Sequence, residues 1–483
     1  MLVTLYTSRV VLDVLGAIDY GVYNVVGGIV VLFSFIYGAL TLATQRFLNY
    51  SMGKGDYAEV HKVFCVSFNV YFLLILLIAI LCETIGLWFL NNKLDIPADR
   101  MDAAFWVFQF SVASCVFTIL RIPYNSSIIA YERMSFYAYV SIIEVALKLA
   151  VVYLLFLSQQ DKLVFYAFLM FLVHVIMLAV YYCYCRKAFT TTRYKFIWDG
   201  PLFKKLLSFS GWSLFGSFAN VAASQGLSFI LNIFNGVLVN AALGVANQVN
   251  SAVNQFVTSF QTAFTPQLIK SYAANEKDFF FSLIFRSSKF SYYLILILGL
   301  PLILYCKDIL GFWLVDVPGN AVEFTVLLVI FCFIDALSGP LWYSVQATGN
   351  IKRYQIIMSV CILSNIPLSY IALKLGCAPI VCLYIRVGIN LLIHFIRVFY
   401  LKGLMEFPSI QYLKDVMLPV CLVTVVSFGL SQLLHRGGLG IGMLFAHLAI
   451  TGTIVLLTAY FLGLNRQEKQ TVVSYVGKIL KHA

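Results

Sequence analysis

Between residues 63 and 90 the chain reads VFCVSFNVYFLLILLIAILCETIGLWFL, a run in which polar positions are rare and show no alternation. Runs of this kind recur along the whole sequence, and the polar residues collect in short stretches between them. Fourteen such runs are predicted as helices: 1–15, 21–43, 63–90, 103–120, 140–157, 163–183, 206–233, 241–264, 290–310, 321–347, 356–375, 380–400, 416–434 and 441–464. Most approach the ~20 residues that carry a helix across ~30 Å of hydrocarbon. Their continuity excludes a transmembrane β-barrel, whose strands alternate apolar and polar positions. The fold class expected is an all-α integral membrane protein whose short connectors make neighbouring spans antiparallel.

Composition strengthens this picture. Of the 483 residues, 61% are hydrophobic and 11% charged, with a mean hydropathy of +0.90; soluble domains carry about 25% charge. The net charge of +12 is a matter of topology. Counting residues near a span end with the adjoining connector, 24 of the 33 Lys and Arg fall in the even-numbered connectors and the C-terminal tail, 6 in the odd-numbered connectors, and Arg9, Lys148 and Arg386 deep within spans. That asymmetry places both termini in the cytoplasm. It points to anionic phospholipids as the partner of the basic side and excludes nucleic acid. The 11 Cys form no CxxC and sit mostly in apolar runs, as small packing residues do, so no metal centre is expected. No P-loop, HExxH or GxSxG motif is present, so no cofactor is expected and the chain reads as a non-enzyme.

The chain also echoes itself. Pro123, Ser127, Ala130 and Tyr137 in PYNSSIIAYERMSFY match Pro340, Ser344, Ala347 and Tyr354 in PLWYSVQATGNIKRY at one offset, 217 residues. A weaker echo joins LGAIDYGVYN at Leu15 to LGVANQVNS at Leu243. Six spans return the chain to the same side, so the repeat is parallel. The expected organisation is a six-helix lobe (1–184), a basic cytoplasmic linker (185–205), a second six-helix lobe (206–402), and an added helix pair with a cytoplasmic tail (403–483).

The stretches TSRVVLDVLGAIDYGVYNVVGG, TQRFLNYSMGKGDYAEVHKVF, AYERMSFYAYVSIIEVALKL and QATGNIKRYQI resemble the bacterial polysaccharide-unit flippases, which translocate O-antigen and capsule units. These belong to the superfamily that also contains multidrug-and-toxin extrusion transporters and the lipid II flippase. The resemblance covers essentially the whole chain. Two departures stand out: the first helix is expected to extend upstream of what Met1 provides, and fourteen spans exceed the twelve of the core repeat. The resemblance implies two six-helix lobes forming an inward-facing V in the bacterial inner membrane. Its cargo would be an undecaprenyl-diphosphate-linked oligosaccharide moved to the outer leaflet, with a glycan polymerase and a chain-length regulator as partners. Two alternatives stay open: a cation-coupled multidrug exporter of the same fold, and a membrane glycan polymerase or ligase. The short odd connectors leave the latter no catalytic loop.

Ionisable residues inside spans are costly and mark function by default. Arg9 and Asp13 lie four apart on one helix face, as do Glu144 and Lys148. Substrate contacts are expected from Arg9, Arg46, Lys148 and Arg386, whose charges suit a diphosphate, and from the amides Asn247, Asn250 and Asn254, which share a face. Arg46, closing the second span, and Arg386 also suit snorkelling anchors. Asp13, Glu144 and Asp335 are the candidates for coupling to H+ or Na+ or for gating, Asp335 having no basic residue within a turn. His174 fits a hydrogen-bonded packing role.

Overall fold

A computed structural model describes residues 34–93, 96–157, 161–314, 317–434 and 440–470, and isolated positions between 10 and 26. Arg9 and Asp13, and with them the reading of the N-terminal pair, lie outside the described residues. The described residues form helices and no strands, as the apolar runs predict. In chain order these are α1 Ser34–Gly53, α2 Tyr57–Asn92, α3 Met101–Ala130, α4 Met134–Leu157, α5 Lys162–Ala188, α6 Gly200–Gly236, α7 (237–273) and α8 Lys277–Leu304. They continue with α9 Cys306–Trp313, α10 Ala321–Thr348, α11 Lys352–Lys374, α12 Val381–Met405, α13 Ser409–Leu433 and α14 Gly442–Gly463.

Eleven of these helices are long and apolar enough to cross a membrane, so this is a multi-pass membrane protein. Helices α1, α7 and the short α9 are the three described helices outside this set, to which α2 and α13 belong. Their outward faces are large and greasy where lipid is expected: Phe72, Leu76 and Ile80 on α2, and Leu418, Val425 and Leu433 on α13, are all exposed. Such bands are stable only against hydrocarbon.

The helices overrun the apolar windows seen in the sequence. The expected span 103–120 is a helix of 30 residues ending at Ala130, ~45 Å long at 1.5 Å per residue. Pro123, expected beyond the end of its span, lies inside α3, and Pro340 lies inside α10 as its span 321–347 implies. A membrane bundle tolerates such prolines inside its helices; next to Pro123, Ser127 Oγ donates back to the Pro123 carbonyl at 2.8 Å. Two further boundaries move. The expected second span, 21–43, continues to Gly53, so Arg46 does not close it. The expected gap between α6 and α7 is a single left-handed residue, Gly236 (φ 77°).

The backbone carries the repeat more clearly than the side chains do. Met52–Gly55 and Tyr272–Asn275 close the same turn: Gly55 N donates to Met52 O at 3.0 Å, and Asn275 N to Tyr272 O at 3.1 Å. Gly55 and Asn275 are both left-handed and 220 residues apart, as are Gly16 and Gly236; Glu132 and Gly349, also left-handed, are 217 apart. This register replaces the echo between Leu15 and Leu243, which would need 228.

By its contacts the chain divides into two compact units, Met1–Ser217 and Phe218–Ala483. In the first, Phe108, Val107 and Ile122 of α3 centre a core that takes in α2, α4 and α5. The segment between α5 and α6 is stitched down rather than slack. The His61 ring meets the Thr191 carbonyl at 2.9 Å, and the Tyr131 and Thr191 hydroxyls are 2.7 Å apart. Asn69 Nδ2 donates to the Ile197 carbonyl at 2.8 Å, and the Tyr194 hydroxyl donates to Asn69 Oδ1 at 2.7 Å. Lys62 pairs with Asp199, whose other oxygen caps α6 through Leu202 N. In the second unit the added pair α13–α14 is fastened along α8. Lys289, only 1% exposed, donates to Glu468 at 2.7 Å; Tyr292 meets Thr424 at 2.8 Å; and Tyr305 meets His447 at 3.1 Å.

Candidate functional site

Among the described residues, a cluster of charges between membrane helices stands out in each unit. In the first unit the Glu144 carboxylate of α4 binds two cations. Lys148 Nζ reaches Oε1 at 2.8 Å from the next turn, and Arg121 of α3 reaches Oε2 at 3.0 Å. The Arg121 guanidinium also lies over the Tyr181 ring of α5, 5.4 Å from its centroid. The sequence placed Arg121 in a connector, because the apolar window ends at 120; the longer α3 carries it into the bundle. The expected pair is therefore a triad with one cation in excess. His174 spends its Nδ1 on the Met170 carbonyl, 2.8 Å away, as its packing role anticipated.

In the second unit the cluster runs along α10 and α12. Arg386, Asn390, His394 and Arg397 recur at spacings of four, four and three residues, which keeps them on one face of α12. The Arg386 guanidinium lies over the Phe331 ring at 4.9 Å. Asn390 Nδ2 donates to the Phe331 carbonyl at 3.2 Å, and His394 Nδ1 meets Ser338 Oγ at 2.8 Å. Asp335 of α10 is half-buried, and Arg397 and Arg386 are the charges that act on it. Among the described residues, neither makes an ion pair with it within 4.0 Å. Arg386 Nη1 and Arg397 Nε are buried with no hydrogen-bond partner. The sequence correctly saw no basic residue near Asp335 on its own helix; the neighbouring helix supplies two. The α12 periodicity was the signal by which Arg397 and His394 could have been found.

Helix α7 presents two unlike faces. One packs into the unit: Asn250 Oδ1 accepts from Cys332 Sγ at 2.7 Å, and Gln261, 5% exposed, donates to the Ala336 carbonyl at 3.2 Å. Gly339 makes the second contact possible, since a Cβ there would collide with the Gln261 amide. The opposite face exposes Gln248, Ser251, Gln255 and Ser259, with Thr262 half-buried at the end of the row, at the three- and four-residue spacing of one helical stripe. Asn247, Asn250 and Asn254 are all half-buried at its margin, Asn250 with its amide oxygen turned to Cys332. Arg46 is buried in α1, its guanidinium 4.6 Å from the centroids of both the Phe47 and Tyr50 rings. Among the described residues no group of three or more His, Cys, Asp or Glu is placed to hold a metal ion.

Solved structures share this architecture. One, a point mutant of a MATE protein, superposes with a TM-score of 0.75 at 13% identity, covering 85% of this chain and 92% of that one. The fold is that of the MATE transporters. An outward-facing multidrug resistance MATE transporter of the MOP superfamily gives 0.71 at 14% identity, with 85% and 92% covered. A MOP superfamily transporter from Pyrococcus furiosus, described as having a binding pocket of reverse polarity that suggests a different function, gives 0.70 at 14%, again with 85% and 92% covered. No protein-family model matches the chain, and no curated protein matches it by sequence. The MATE likeness lies within the superfamily that the quoted stretches resemble, but does not single out the polysaccharide flippases.

Proposed function

We propose that this protein is a secondary transporter of the MATE fold that works by alternating access, exporting an organic cargo against a cation gradient. The observation that carries this reading is the exposed stripe Gln248–Ser259 on α7. Four exposed polar side chains on one face of a helix within a membrane protein are not tolerated against lipid, where each unsatisfied group costs several kcal/mol. They belong against water, and a water-lined helix face inside a bundle is what a translocation route requires. Asp335 is the coupling residue of choice. The charges of two arginines act on it and neither pairs with it within 4.0 Å, so binding or loss of a cation there changes how strongly it attracts them. Glu144, held by two cations, fits a fixed structural anion better than a coupling site. The multidrug MATE neighbours support an exporter of this kind.

One observation favours a second reading, the flippase for a polyprenyl-diphosphate-linked glycan in a bacterial inner membrane. Each cluster carries one cation in excess: Arg121 and Lys148 against Glu144, and Arg386 and Arg397 against Asp335. In this reading the cations suited to an anionic diphosphate are Lys148 and Arg46 in the first unit, with Arg9 on the N-terminal segment oriented by Asp13, and Arg386 in the second, where Asn247, Asn250 and Asn254 are the amides suited to the glycan. The Pyrococcus furiosus neighbour supports keeping cargo polarity separate from fold. A polymerase would then receive the flipped unit.

Proteoliposomes decide between the readings. Under an imposed H+ or Na+ gradient the exporter moves a fluorescent organic cation, and Asp335→Asn abolishes the gradient dependence. The flippase instead moves a fluorescent polyprenyl-diphosphate glycan and ignores the cation. Transport of neither overturns both.

A further inference from the structure

The strap between α5 and α6 does more than join two helices. It runs from Ala188, the last residue of α5, to Gly200, the first of α6, and therefore lies at the face of the membrane. Its backbone is pinned to α2, so its side chains are not free to fold back into the protein. Yet Phe196 is 76% and Trp198 57% exposed. Arg193, Lys195, Lys204 and Lys205 are exposed around them. The one carboxylate of this stretch, Asp199, is already paired with Lys62. The surface that results is cationic and aromatic together, at membrane height.

We infer that this strap is a docking surface for anionic phospholipid headgroups of the adjoining leaflet. Lys195, Lys204 and Lys205 would meet the phosphates, and Phe196 and Trp198 would sit in the boundary between headgroups and acyl chains. Each half of the pattern supports the other. A basic patch alone is attracted to an anionic leaflet by charge; large rings held out of the protein are stable at that same boundary and costly in water. Neither nucleic acid nor an acidic protein explains why the rings are presented at the membrane face. The surface would anchor the first unit against the leaflet at the point where the chain leaves it, whichever cargo is carried.

Two measurements on the full-length protein test this. In nanodiscs containing lipids brominated near the carbonyls, the emission difference between the native protein and Trp198→Phe isolates Trp198. Strong quenching is expected, and an unquenched Trp198 overturns the proposal. In native mass spectrometry from mixed phosphatidylglycerol and phosphatidylcholine micelles, the protein should retain phosphatidylglycerol preferentially. The triple variant Lys195→Gln, Lys204→Gln, Lys205→Gln should weaken that retention on the order of tenfold or more, whereas Lys162→Gln at the other end of α5 should not. Equal retention by the triple variant, or a preference for neither lipid, overturns the proposal.

Discussion

Arg121 and Glu144, 23 residues apart in the chain, meet at 3.0 Å across the boundary between α3 and α4. Both are largely shielded, with 14% and 22% of their side chains exposed, and the Lys148 arm of the same triad is more open. Removing one partner of a shielded pair leaves the other uncompensated. Arg121→Gln is therefore expected to cost about 3 kcal/mol, and Lys148→Met under about 1 kcal/mol. Thermal unfolding in detergent checks both. The double variant Arg121→Gln, Glu144→Gln should recover part of the loss, because both charges are then gone.

Asp335→Asn keeps the shape of the side chain and removes its charge. The protein should fold normally and lose gradient-driven transport, while exchange of cargo down its own gradient persists. Equal transport by Asp335→Asn and the native protein, measured at matched protein density in proteoliposomes, removes Asp335 from the coupling role.

The seating of Gln261 against α10 depends on Gly339. A methyl group at 339 collides with the buried amide, and overpacking of this kind costs about 1–3 kcal/mol. Gly339→Ala should lower the unfolding temperature, and Gln261→Ala in the same chain should restore part of it. Gly244→Ala, with nothing within 4 Å of the new Cβ, should not destabilise.

The strap has a pH signature. The Lys62 ammonium bonded to Asp199, with help from the Leu202 N–H, holds the Asp199 carboxyl below the ordinary carboxylate range. A depressed value contributes stability above the unfolded pKa of ~3.9 and loses it as pH falls through the folded value. Amide exchange of residues 191–198, corrected for intrinsic rates, should stay flat from neutral pH down to about pH 5 and accelerate only below ~4. Asp199→Asn should accelerate it at neutral pH. Identical exchange in the two proteins contradicts the role given to the pair.

The helical class, the number of apolar runs and the parallel repeat were legible because hydropathy and local matches carry them. Helix ends were not. Arg121 and Arg46 sit where the apolar run fades but the helix goes on, since a neighbouring helix, not lipid, covers those turns. Asp335 was visible as an oddity, but its arginines come from α12, 51 and 62 residues later, and no local spacing records that. Asn247, Asn250 and Asn254 share one side of α7 by simple periodicity, but only the packing of Cys332 reveals that the Asn250 amide oxygen turns to it.

The central claim is that the Gln248–Ser259 face of α7 is bathed in water although the helix lies within a membrane protein. Single cysteines at 248, 251 and 255 test it directly, in a chain whose exposed Cys183, Cys377 and Cys421 are replaced by Ser and which still transports. A membrane-impermeant maleimide applied to protein in lipid should label all three, while cysteines at the buried Val253 and Val257 stay unreacted, and cargo should slow the labelling. Protection of 248, 251 and 255 to the level of 253 and 257, from both sides of the membrane, would contradict the account.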